Sequence, residues 1–392
     1  MNNDKIISRI YELEPQIKSD RRHFHQNPEL SFNEFETSKY IQKRLSDLNI
    51  SFKVIAGTGV VALIGTGPNC VALRADMDAL PIQEETGLEY ASCHENIMHA
   101  CGHDMHTAML LCAAQVLKEN ESSLKGTVKL LFQPGEEKLP GGATKMLGEG
   151  VLENPLPRAI FGQHINPEEE VGKISASPGF ILASADELYF TIKGKGSHAA
   201  QPHLGNDVIL SASNLVVYLQ SLITKFRNPL NPGLLSITSI QGGNATNVFP
   251  DEVKLMGTLR AYNQGWRELM HNEIETKSKQ LCSLFNTQCE VTILKGYPAL
   301  NNNPSTTNFI GKLVTELFGK EALLEFEPKM WAEDFAYYAA KIPATFWFLG
   351  VKPANQNEMP PLHTANLAPD ENALVIGTIL LVKSAVNFLN TD

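Results

Sequence analysis

Met98-His99-Ala100-Cys101-Gly102-His103-Asp104-Met105-His106-Thr107 concentrates three imidazoles, a thiol and a carboxylate in ten residues, with Gly102 in the middle to permit a tight turn. Thiolate and neutral imidazole both suit zinc and related divalent ions. Cys101 and His103, one residue apart, reach one centre if the backbone between them is extended. Read alone, the stretch is as consistent with a buried thiol and satisfied histidines. Two ligands do not close a coordination sphere, so the reading depends on partners elsewhere in the chain.

Upstream, residues 60–64 and 70–73 are near-continuous β-rich runs, as expected of strands in a sheet covered on both faces. The second run leads into Arg74-Ala75-Asp76-Met77-Asp78-Ala79-Leu80-Pro81. Carboxylates at the carboxyl end of a buried strand lie where open α/β sheets place their ligands. Asp76 and Asp78 share a side; they bind a metal, orient a ligating histidine from behind, or end the strand, and orientation is the reading adopted for Asp78.

Downstream, residues 107–117 read as an apolar helix and 127–132 as another buried strand, which meets Gln133-Pro134-Gly135-Glu136-Glu137. Adjacent side chains in extended backbone point to opposite sides, so one glutamate is available to a metal while the other faces a water. An exposed acidic loop is the alternative. Gly141-Gly142-Ala143 opens a helix, and a strand over 159–162 delivers Gln163-His164. Four successive units therefore end in Asp78, in Cys101 with His103, in Glu136 with Glu137, and in His164.

Apolar residues recur at helical spacing from 4 to about 25, where Asn27-Pro28 stops the helix, and a second helix is expected over 33–48. His23 and His25 are read as structural. From about 185 the pattern becomes βαββαβ: strands over 186–193, 234–240, 252–259 and 288–294, with helices over 206–224 and 264–285. This predicts an α+β sandwich inserted into the first domain. Its Gly194-Lys195-Gly196-Ser197-His198 segment matches no phosphate-binding loop. The α/β pattern resumes with helices over 305–318 and around 333–340, a strand over 345–349 and a closing helix over 369–389. Pro360-Pro361-Leu362-His363-Thr364, between that strand and helix, supplies the missing distant imidazole. The expected division is a discontinuous metal-binding catalytic domain, 1–184 with 299–392, and an inserted domain, 185–298.

At 392 residues the chain is long for one core, and its 43% hydrophobic content is ample for two or three. A net charge of -10 without a long basic run argues against nucleic acid or an anionic membrane as partner. The N-terminus lacks the pattern of a signal peptide, and no run of 18 apolar residues suggests a membrane span. The six irregularly spaced cysteines read as free thiols, and the chain as cytoplasmic.

With these pieces assembled, the sequence resembles the aminoacylase and carboxypeptidase family of two-metal amidohydrolases. The branch is that of hippurate hydrolase, N-acyl-amino-acid amidohydrolases and the plant auxin-conjugate hydrolases. The likeness covers nearly the whole chain. It is carried by residues 74–81, 98–106, 134–137 with Gly141-Gly142-Ala143, Gln163-His164, 196–202, Asn247-Val248-Phe249-Pro250, Ala332-Glu333-Asp334-Phe335 and Leu362-His363. The resemblance implies a mixed-sheet α/β metallohydrolase domain with an inserted α+β dimerisation or lid domain. It implies that Cys101, His103, Glu137, His164 and His363 hold two divalent ions, zinc or manganese, with cobalt or nickel as alternatives, and that the Cys101 thiolate is shared. Glu136 would be the general base, and His198 would donate to the developing oxyanion, across a homodimer formed by the inserted domain. Asn247 and Arg260 match positions that hold a substrate carboxylate, for which an arginine fork is physically suited.

Two positions depart from the branch: Asn96 and Trp331 stand where glycine is usual, and Trp331 is bulky enough to alter an acyl pocket. The expected reaction is hydrolysis of the amide bond of a small N-acyl amino acid. A dipeptidase or carboxypeptidase on the same scaffold is the alternative. A metal-stabilised binding protein is a third reading; it predicts a closed four-ligand sphere with no spare carboxylate.

Overall fold

The strands Cys70–Asp76 and Thr127–Gln133 are buried at every position, which places them at the centre of a sheet covered on both faces. They belong to a computed structural model that describes residues 3–391. The chain divides into two compact units, one ending at Ile181 and resuming with Asn301–Glu327 and from Asp334 onward, the other comprising Leu182–Leu300 and Pro328–Glu333.

The first unit is an α/β fold on one eight-stranded mixed sheet. Its strand order is Phe52–Ile55, Gly59–Gly65, Thr127–Gln133, Cys70–Asp76, Ile160–Glu170, Ala344–Lys352, Ile174–Ser175 and Leu323–Leu324. The inner pairs among Thr127–Gln133, Cys70–Asp76, Ile160–Glu170 and Ala344–Lys352 are parallel; the Phe52–Ile55 and Gly59–Gly65 edge is antiparallel. The helices His103–Glu119 and Ala373–Phe388 are buried almost throughout and pack on each other. Helices that are apolar on nearly every face belong inside a core.

Three local expectations change. The first predicted helix is two, Asn3–Glu12 and Glu14–Gln26, because Pro15 has no N–H to continue the ladder. The helix expected from 107 begins at His103, directly after Gly102 at φ +82°. The strand that carries His164 runs on to Glu170, so that histidine sits within the strand rather than at its end.

The second unit carries a four-stranded antiparallel sheet in the order Gly233–Gln241, Glu252–Ala261, Ser184–Lys193 and Gln288–Lys295. The helices Val208–Phe226 and Gln264–Leu284 pack on it around Leu188, Phe190, Leu215, Leu255 and Met270. Among the described residues, Val208–Phe226 is the one helix long and apolar enough by composition to cross a membrane. Its buried residues, Val208, Ala212, Leu215, Leu219 and Leu222, join the core of this unit, as the apolar stripe of a globular helix does. Asp186, on the Ser184–Lys193 strand, is buried and bound by Arg267 at 2.6 and 2.9 Å and by His271 at 2.7 Å, both from the helix Gln264–Leu284.

Candidate metal centre

Gly102 decides how Cys101 and His103 meet. The backbone between them is not extended: Gly102 is left-handed, and a Cβ there would lie 2.3 Å from Cδ1 of Ile165. Only glycine combines that conformation with that approach. The turn starts the helix at His103, whose Nδ1 donates to the backbone carbonyl of Asp78 at 2.9 Å. Its Nε2 is buried and makes no hydrogen bond. The sulfur of Cys101 lies 3.3 Å from Nε2 of both His164 and His363. His164 donates from Nδ1 to the carbonyl of Ile165 at 2.8 Å, which leaves Nε2 as the bare nitrogen facing Cys101. His363 is exposed and adopts φ +63°, an uncommon conformation for a side-chain-bearing residue; its N–H bonds Ala100 and its Nε2 also reaches Glu137 at 3.1 Å.

The acidic loop is a bend rather than extended chain. Gly135, at φ +58°, turns it. Asp78 then accepts the N–H of Glu136 on one oxygen at 3.0 Å and that of Glu137 on the other at 2.9 Å. Both glutamates consequently face the same region: His103, Glu136 and Glu137 each offer a ligand atom within 4.8 Å of the others. So do Cys101, His103 and His164, and so do Cys101, Glu137 and His363. Asp78, expected to orient a histidine, carries the glutamate loop with its carboxylate and meets His103 with its carbonyl. Its Oδ1 stands 3.3 Å from His103 Nδ1, and Ser31 donates to Oδ2 at 2.6 Å.

The electrostatics of these residues call for a cation. Burial, then Glu137, Glu136 and Asp76, push the Cys101 thiol far above its ordinary value. Burial disfavours charge on His103, but Asp76, Asp78 and Glu137 outweigh it and lift that imidazole to about 10. Burial, then His106, holds His164 well below the usual histidine range. A buried thiol, a bare buried imidazole nitrogen and crowded carboxylates are the donor set that a divalent ion neutralises and binds, so these residues fit the metal that the sequence implies.

Several contributing residues escaped the sequence reading. His106 lies in the opening stretch yet has no free nitrogen: Nδ1 donates to Asp76 at 2.6 Å and Nε2 accepts the N–H of Ile165 at 3.0 Å. Arg74 bonds Asp76, Gln133 at 3.0 Å and Asp334 at 2.8 Å, while Asp334 also takes Gln133 and the N–H of Ala143. Glu34 binds the N–H of Gly135 at 2.8 Å. Arg74 and Asp334 lie in quoted motifs, but only the fold shows that they meet. His25 is buried between Asp104 at 2.8 Å and Glu84 at 3.2 Å, and His23 stacks on Tyr40.

The other residues expected from the sequence, His198, Asn247 and Arg260, lie in the second unit. His198 pairs with Val248 across a short ladder, and the N–H of Ala199 bonds the carbonyl of Asn247 at 2.9 Å, so His198 and Asn247 are neighbours. Arg260 stands on the Glu252–Ala261 strand opposite Ala185 and Leu234. Trp331 is 39% exposed, with Nζ of Lys329 5.6 Å from the centre of its ring. Asn96, in the first unit, takes φ +58°, a conformation that glycine adopts freely and asparagine tolerates, which accounts for the exchange at that position.

The model of peptidase family M20/M25/M40 matches residues 72–387, a span that contains the Cys101 turn, the glutamate loop, His164 and His363. The chain belongs to this family. Like the other M20 enzymes it is a metal-dependent hydrolase of the amidohydrolase and peptidase class. It is 40% identical over 384 residues to the N-acetyl-L-cysteine deacetylase of Bacillus subtilis, covering 97% of this chain and 90% of that one. It is 40% identical over 375 residues to the IAA-amino acid hydrolase ILR1-like 2 of Arabidopsis thaliana, covering 94% and 84%. The crystal structure of the Bacillus subtilis YXEP protein, a dinuclear metal binding peptidase of the M20 family, superposes with a TM-score of 0.83 at 33% identity, covering 97% and 100%. The mixed α/β fold read from the sequence is thus that of the M20 hydrolases.

Proposed function

We propose that this M20 enzyme hydrolyses the amide bond of N-acyl amino acids, with Cys101, His103, Glu137, His164 and His363 holding two divalent ions and Glu136 acting as general base. The observation that carries the reading is the gathering of Cys101, His103, Glu136, Glu137, His164 and His363 into overlapping groups that share Cys101, His103 and Glu137. A purely structural metal needs four ligands and no spare carboxylate; here a further glutamate stands beside the set. Zinc and manganese both suit these donors. When bound, such ions supply Lewis acidity, which acidifies a water and polarises a carbonyl.

The protein supplies the rest. Glu136, its backbone fixed by Asp78, takes the proton of the attacking water and returns one to the leaving amine. His198 is assigned to the developing oxyanion, and its tautomer supports this: Nδ1 accepts the N–H of Ala200 at 3.0 Å, so the ring proton sits on Nε2 of an exposed side chain. Asn247 and Arg260 are assigned to the substrate carboxylate. The similarity to an N-acetyl-amino-acid deacetylase and an amino acid conjugate hydrolase favours acylated amino acids over free peptides.

We further assign a homodimer through the second unit. Its Gly233–Gln241 strand is a sheet edge that carries the exposed Ile240, and the helix Val208–Phe226 exposes Val217. Six free cysteines support a reducing, cytoplasmic setting.

The test is turnover of a panel by protein stripped of metal and reloaded with zinc or manganese. The panel sets N-acetyl, N-benzoyl and indoleacetyl amino acids beside free dipeptides. Metal-restored release of amino acid from the acylated set supports the reading. Cleavage of the dipeptides alone replaces it with a peptidase. Sedimentation of the same protein checks the dimer.

A further inference from the structure

Glu34 is fully buried in the loop that precedes the helix Phe35–Asp47, although nothing in its sequence context requires burial. One carboxylate oxygen accepts two backbone N–H groups, from Phe32 at 2.9 Å and from Gly135 at 2.8 Å; the other accepts the hydroxyl of Thr58 at 2.7 Å. The Gly135 bond crosses between segments a hundred residues apart. It falls on the residue immediately before Glu136 and Glu137, whose own N–H groups are both held by Asp78. Three consecutive amides of the acidic loop are thereby fixed by two buried carboxylates.

The packing repeats the message. Phe32 takes φ +66°, and its ring presses so closely on Gly135 that a Cβ there would lie 2.3 Å away; Nζ of Lys145 lies 3.5 Å from the centre of that ring. The turn at 32–34 is thus a mould for the turn at 134–137. Burial, then the charge of Asp78, push the Glu34 carboxyl up to about 7, so it is ionised in mildly alkaline assays. A buried carboxylate kept at that cost has a task beyond filling space.

We infer that Glu34 is a positioning residue for the general base: through Gly135 it sets the backbone from which Glu136 reaches the water. This rests on the assignment of Glu136 made above. A positioning group acts on the rate of the bound complex rather than on substrate affinity.

The test compares Glu34→Ala, Glu34→Gln and Thr58→Val at pH 8. The readouts are kcat and KM, zinc affinity by competition with a chromophoric chelator, and amide hydrogen exchange of the peptide spanning 132–138. Glu34→Ala is expected to lower kcat by about tenfold or more with KM held within about twofold, and to speed exchange in that peptide. Glu34→Gln, which keeps an acceptor for Gly135, is expected to recover part of both, and Thr58→Val to follow in the same direction more weakly. Unchanged exchange and kcat in Glu34→Ala overturn the inference, as does a rise in KM alone. If Glu34→Ala fails to fold, Glu34→Gln and Thr58→Val decide it by the same split. Absence of turnover in the parent protein withdraws the hydrolase reading, and the exchange and chelator measurements then judge the clamp by themselves.

Discussion

His106 donates to Asp76 at 2.6 Å and accepts the amide of Ile165 at 3.0 Å, and the two bonds together remove it from the set of metal ligands. With Nδ1 committed as donor, Nε2 is left to accept the amide of Ile165, the residue after His164. His106 therefore fixes the strand that presents His164. His106→Asn keeps a donor for Asp76 and loses the acceptor for Ile165. It is expected to cost about 10- to 100-fold in metal affinity or activity, the usual penalty for removing a group that orients a ligand. Elemental analysis and kinetics on the folded variant check it. Parent-like values would show that His164 needs no such support.

Glu136→Gln preserves the loop, because Asp78 holds the backbone N–H rather than the side chain. The expected outcome is full metal content with turnover reduced about 100- to 10,000-fold, the range of general base catalysis. Metal analysis beside kcat is the measurement.

Cys101 lies 3.3 Å from both His164 and His363, and these two distances support the proposed sharing of its thiolate between two ions. Cys101→Ser is expected to depress loading at both positions, whereas His363→Ala is expected to spare one. Counting zinc per chain after dialysis separates a shared thiolate from a private one.

Gly102→Ala puts a side chain on a left-handed residue and against Ile165. The backbone strain alone costs on the order of 1–3 kcal/mol, before the overlap with Ile165 is relieved. Lower thermal stability together with weaker metal binding is expected, because Ile165 adjoins His164.

In the second unit, burial raises the cost of charge on Asp186, yet the bonds from Arg267 and His271 hold its carboxyl below the ordinary range. A depressed acid stabilises the fold fully above its unfolded pKa of about 3.9, and that contribution fades as pH falls through the lower folded value. Asp186→Asn is expected to cost about 3–5 kcal/mol at neutral pH, because it strands the buried Arg267 guanidinium, and to flatten the acid limb of stability against pH. Denaturant melts at pH 7 and pH 3 check both parts.

Much of the first unit was legible because its signals are local. Buried strands show as unbroken runs, and chemical residues follow them at Asp78 and Glu136 or sit within one, as His164 does. What stayed hidden depends on contacts between distant segments. The sequence allows both a tight turn at Gly102 and an extended Cys101-Gly102-His103, and only the fold, which packs Ile165 against a left-handed Gly102, shows that the turn is taken. The two glutamates face one way because Asp78, 58 residues from Glu136, holds both amides. His106 looks like a ligand until the fold brings Asp76 and Ile165 to its two nitrogens. Glu34 carries no motif that would single it out.

The order of the sheet has a consequence for synthesis. Ile160–Glu170 pairs on one side with Cys70–Asp76, made before it, and on the other with Ala344–Lys352, which leaves the ribosome only after the whole second unit. Until then a nascent chain presents Ile160–Glu170 with a bare long edge beside an unfinished ligand set that lacks His363. Translation that stalls between residues 334 and 344 would release a half-sheet ready to pair with another chain, while the second unit is already complete.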